Sequence, residues 1–146
     1  AAGNNGEGDG SIVWPARWPE TIAVSATNIN DQPAYFSSYA SDVNQVIEVN
    51  LIAAPGENIN STWNDGYYHL GSGTSMATPH VTGVVALVLR ARGCTSEDRL
   101  AVGCVPNEII SLLKTNGVED LGLEGIDVYF GYGLIDAEKA VNSATP

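Results

Sequence analysis

Apolar residues are densest between Val81 and Leu89, inside a segment from Thr74 to Ala91 that predicts the longest helix of the chain. Gly73-Thr74-Ser75 opens it, and Pro79 falls within the first turn or so, where a missing N–H does least harm. Arg90 and Arg92 sit near its negative end and Gly93 stops it. The body is apolar nearly all round, the pattern of a helix enclosed on every side. Thr21 to Ala26, small and β-branched, reads as a buried strand, and Val46 to Ala54 as a second one ended by Pro55-Gly56. Asn64-Asp65-Gly66 between aromatic-rich arms predicts a hairpin over Trp63 to Leu70. Pro106 to Thr115, with Ile109, Ile110, Leu112 and Leu113, predicts another helix. A short strand is expected at Val128 to Phe130 and a last helix at Asp136 to Ser143, while Ala1 to Pro19 reads as loop with one short strand near Ser11 to Trp14. Strands interleaved with helices give an α/β class.

The 146 residues hold no repeat, low-complexity tract or linker, so one domain is expected. A helix apolar on every side needs more neighbours than two further helices and a few strands supply, which implies that other polypeptide covers part of it. The opening residues carry no basic or apolar leader pattern, so the chain reads either as processed or as part of something longer. The formal net charge of −11 argues against a nucleic-acid partner, and no Lys/Arg cluster offsets it locally. The longest purely apolar run, Val84 to Leu89, is far short of the ~20 residues that span a bilayer, so no membrane partner is expected. Cys94 and Cys104 read first as a disulfide closing a short loop, a link contributing about 3 kcal/mol and pointing to an oxidising, extracellular compartment. Two reduced thiols, or a metal shared with His69 and His80, are the alternatives, although the spacings match no common zinc pattern.

Chemistry concentrates at Gly71-Ser72-Gly73-Thr74-Ser75-Met76-Ala77-Thr78-Pro79-His80. Ser75 falls at the mouth of the long helix, where unpaired N–H groups and the positive dipole end favour a developing negative charge. That suits a nucleophilic oxygen, although position alone favours a plain N-cap at Thr74 or Ser75. His80 does not read as its base: five residues along a helix is about 500°, some 140° off the face of Ser75, so it is expected to be a core histidine. His69, with no neighbouring acid pattern, reads as surface or cleft rim.

The string Gly73-Thr74-Ser75-Met76-Ala77-Thr78-Pro79-His80-Val81-Thr82-Gly83 resembles the nucleophile motif of the subtilisin-like serine proteases. Other segments agree in order: Ala1-Ala2-Gly3-Asn4, Trp14-Pro15 through Ile22-Ala23-Val24, Phe36-Ser37-Ser38, Ala54-Pro55-Gly56 and Tyr132-Gly133-Leu134-Ile135-Asp136-Ala137. The resemblance covers nearly the whole chain, with insertions near residues 41–45 and 94–104. It implies the C-terminal part (residues 1–146) of a subtilisin-like three-layer catalytic domain, with a mostly parallel sheet and a buried central helix. It further implies a secreted serine endopeptidase, made as a zymogen, that acts on protein or peptide substrates without an organic cofactor. Ser75 would be the nucleophile, and the Asn4 side chain with the Ser75 N–H would form the oxyanion hole. Ala1, Ala2, Gly3, Val13 and Gly73 would contact substrate, Val13 making a shallow pocket for small or medium apolar side chains. The main-chain carbonyls of Ala16, Trp18 and Thr21 align with a weak cation site in relatives, and Glu7 with Asp9 is a second candidate for Ca²⁺. The family's catalytic Asp and His lie upstream of its asparagine segment, so the partner this chain requires is the N-terminal half of the same domain. A non-catalytic binding or scaffold chain is the other reading. An esterase is disfavoured because Gly-x-Ser-x-Gly is absent around Ser75.

Overall fold

A computed structural model describes residues 1–6, 12–95 and 102–145. Its elements are β1 (Val24–Thr27), α1 (Val43–Val49), β2 (Ile52–Pro55), β3 (Ile59–Thr62), β4 (Tyr68–Gly71), α2 (Thr74–Ala91), α3 (Pro106–Asn116), β5 (Val118–Glu119), β6 (Leu134–Ile135) and α4 (Ala137–Ala144). The main sheet runs β1-β2-β6-β5, with β1, β2 and β6 parallel and β5 antiparallel at the edge. Strand alternation sorts the side chains into two cores. Val24, Ala26, Ile52 and Ala54 pack with α2, α3 and α4, while Ala23 and Leu51 pack with Val46 and Val49 of α1. Helices on both faces of a mostly parallel sheet make the three layers expected of the α/β class.

The helix at Thr74–Ala91 and the helix at Pro106 follow the sequence pattern closely, and the hairpin turns where expected, although its first strand, Ile59–Thr62, lies before the expected arm at Trp63. The segment Val46 to Ala54 does not form one strand. Its first half belongs to α1, where Asp42 caps the N-terminus by accepting from the Gln45 N–H and Asn50 ends the helix at φ 52°. Val46 and Val49, three residues apart, then reach the same core. Val128 to Phe130 is turn rather than strand, because Asp127 Oδ1 accepts from the N–H groups of both Tyr129 and Phe130 and folds the backbone back. Ile12 to Trp14 likewise carries no strand. Pro79 lies in the second turn of α2, so the Ser75 carbonyl lacks its usual intrahelical donor. One face of α2 is open in this chain: Gly83 and Ala86 are exposed and Leu87 is 52% exposed. Cys94 and Cys104 form a disulfide just past α2.

Candidate active site

Residues 1–5 are held against the N-terminus of α2 by backbone and side-chain hydrogen bonds on several sides. Ala2 donates to Val24 O and accepts from Val13 N; Gly3 accepts from Ser38 N. The Gly3 N–H donates to Thr74 Oγ1 at 3.1 Å. This lattice fixes Asn4, whose Oδ1 accepts from the Thr74 N–H at 2.9 Å and from Thr74 Oγ1 at 3.1 Å. With its oxygen committed twice, the amide is held in one orientation and Nδ2 is the group left to donate. Thr74, 1% exposed, is the residue that sequence reasoning missed: it orients Asn4 through its hydroxyl and its backbone. Its place between Gly73 and Ser75 was the only signal.

The two donors expected to share an oxyanion seat both lie near Gly73. A Cβ built on Gly73 would lie 3.3 Å from Asn4 Nδ2 and 3.7 Å from the Ser75 nitrogen. A side chain at Gly73 would therefore crowd the space beside both groups. Ser75 is the second residue of α2, so its N–H has no intrahelical acceptor, and the helix dipole adds to the pull on an anion there. Its side chain is exposed beside a cleft of about 410 Å³ lined by β3, Trp63, Met76, Pro79 and His80. An exposed hydroxyl, two nearby N–H donors and a helix N-terminus are the groups that attack on a carbonyl, with an oxyanion formed alongside, would need.

His69 is exposed, as its surface reading expects, whereas His80 departs from its expected setting. His80 is exposed rather than buried in the core, because the open face of α2 carries it; its Nδ1 lies 2.9 Å from Met76 O. His69 does have an acid neighbour. Asp65 Oδ2 lies 2.8 Å from His69 Nε2 at the hairpin turn, and the imidazole meets Trp63 at 5.6 Å between ring centres. The Asp65 carboxyl is held below its ordinary value of 3.8, first by the Tyr67 N–H and then by His69. A lowered folded value means this support is complete above the unfolded carboxylate pKa and is lost as pH falls through the folded one. An NMR titration should place the Asp65 midpoint below 3.8, with the Tyr67 amide shift following it; a midpoint at or above 3.8 would contradict the pairing.

Ala1, Ala2 and Gly3 directly precede Asn4 in the chain, Gly73 lies near Asn4 Nδ2, and Val13 stands against Gly3, whose added Cβ would meet Val13 Cγ2 at 3.1 Å. Ala16 O and Trp18 O face the hydroxyl of Thr21, and Thr21 O accepts from Asn50. Glu7 and Asp9 lie outside the described residues. No group of three His, Cys, Asp or Glu side chains placed to hold a metal occurs among the described residues. No helix is long and apolar enough to cross a membrane among them either.

The family model of the subtilase family (Peptidase S8) matches residues 1–133. The chain belongs to the subtilases. It is 37% identical over 145 residues to the Minor extracellular protease Epr of Bacillus subtilis, covering 99% of this chain and 20% of that protein. It is also 37% identical over 140 residues to Subtilisin Savinase of Lederbergia lenta, covering 96% of this chain and 44% of that protein. A solved structure described as the self-cleaved protease domain of PatA superposes with TM-score 0.73 at 28% identity, covering 98% of this subtilase chain and 48% of the other. The chain thus spans less than half the length of each of these relatives.

Proposed function

We propose that this subtilase chain supplies the nucleophile and the oxyanion hole of a serine endopeptidase, and that the Asp and His of the triad come from polypeptide outside these 146 residues. The nearness of both Asn4 Nδ2 and the Ser75 N–H to Gly73 carries the reading. Ser75 attacks the peptide carbonyl, and the two N–H groups take up the charge that develops on oxygen. An amide donates without a full charge that would bind the ground state as strongly. The dependence on further polypeptide is supported by the open apolar face of α2 around Leu87 and by the greater length of the relatives. The intact pair Ser75 and Asn4 disfavours a merely structural role. The disulfide and the extracellular relative support export from the cell. Val13 stands against Gly3, and a side chain of that size there would favour small or medium apolar side chains before the scissile bond.

Peptide hydrolysis by this chain alone and after mixing with the preceding half of its domain tests the proposal. Turnover is expected only in the mixture; robust hydrolysis by the chain alone would refute the shared machinery. In the active protein, Thr74→Val should lower kcat about tenfold with KM little changed, by releasing one of the two bonds on Asn4 Oδ1. An unchanged kcat would remove Thr74 from the positioning role. Met76, whose Sδ lies 3.7 Å from the position a Gly73 Cβ would take, borders the same seat. Peroxide should inactivate the enzyme by adding a sulfoxide oxygen there, and Met76→Ala should abolish that sensitivity. Continued peroxide loss in Met76→Ala would place the damage elsewhere.

A further inference from the structure

The resemblance places a cation against the carbonyls of Ala16, Trp18 and Thr21, but the donors around these atoms do not fit one. Thr21 Oγ1 donates to Trp18 O at 2.9 Å and lies 3.4 Å from Ala16 O. Thr21 O in turn accepts from Asn50 Nδ2 at 3.1 Å, and the same amide donates to Pro19 O at 2.8 Å. Asn50, only 8% exposed, takes its second interaction from α3: its Oδ1 accepts from Lys114 Nζ at 3.0 Å. The ammonium also lies 4.3 Å from the centre of the Tyr132 ring. A hard divalent ion seeks six to eight oxygens, several of them carboxylate. Here it would have to displace a hydroxyl and an amide donor and face an ammonium of like charge.

We propose that Lys114, acting through Asn50, replaces the bound cation and holds the loop of residues 14–21 in a metal-independent way. The ammonium on Oδ1 polarises the amide and strengthens both Nδ2–H bonds to the loop. Positive charge thus reaches the loop carbonyls by relay, on a side chain that cannot dissociate as an ion can. The loop follows Val13, whose N–H bonds Ala2 O next to Asn4, so the same relay steadies one wall of the candidate site. Lys114 is a positioning residue on this account, remote from the reacting atoms.

Hydrogen exchange of the loop amides in the complete protein tests this independently of activity. The Trp18 and Thr21 N–H groups, bonded to Pro15 O and Trp18 O, report on the loop. Their exchange in the wild type should be the same in excess EDTA and in excess CaCl₂. Lys114→Met should speed it about tenfold while amides in the body of α3 keep their rates, and Lys114→Arg should restore most of the protection. Faster loop exchange of the wild type in EDTA would overturn the proposal, and this arm stands even if a variant fails to fold. So would a folded Lys114→Met protein whose loop exchanges at the wild-type rate.

Discussion

Replacing Ser75 by Ala in the complete protein is expected to remove about 10⁶ of peptide turnover, a magnitude known for subtilisin, to which this chain is related. The loss should fall on kcat, because the hydroxyl forms the covalent bond and contributes little to holding substrate. Folding should be almost untouched. Ser75 is exposed, and the N-terminus of α2 is fixed by Thr74, whose hydroxyl and backbone bond Asn4 and Gly3. An unchanged melting temperature with the turnover gone is the expected pair of results. Residual hydrolysis within tenfold of the wild type would mean that a different group attacks.

The second largest effect is expected at Asn4. Asn4→Ala removes the Nδ2 donor and should cost about 10²–10³ in kcat with KM nearly unchanged, since that donor meets charge only as the transition state forms. It also strips the Thr74 N–H of its acceptor, so the melting temperature should fall as well. Asn4→Asp separates these effects. Its carboxylate keeps an oxygen for Thr74 but turns a second oxygen, negatively charged, toward the oxyanion seat. Turnover should then drop at least as far as in Asn4→Ala, with less loss of stability. A kcat decrease below tenfold in both variants would exclude Asn4 from the oxyanion hole.

Elements whose ends are written in local chemistry were legible in the sequence. Gly73 and Gly93 bracket α2, Pro106 opens α3, Asp136 caps α4 by accepting from the Lys139 N–H, and Asn64-Asp65-Gly66 turns the hairpin. The α1 segment was misread because Val46, Ile47 and Val49 suit a strand as well as a helix; the Asp42 cap and the left-handed Asn50 decide it. The two-residue strands β5 and β6 exist through their partners, Ala53 pairing with Leu134, so no local pattern marks them. The candidate site divides the same way. Ser75 stands in a continuous string on a helix end. Asn4, some seventy positions away, has no local mark beyond the family segment around it, and its orientation by Thr74 exists only in three dimensions. His69 and Asp65, four apart across a turn, meet only once the hairpin closes.

The most direct test is to treat the complete protein with a fluorophosphonate and locate the adduct by peptide mass spectrometry. A single phosphonyl group on Ser75, lost in Ser75→Ala and formed far more slowly in Asn4→Ala, is the result this account predicts. A protein that hydrolyses peptides yet carries the label on another serine, or on none, would contradict it.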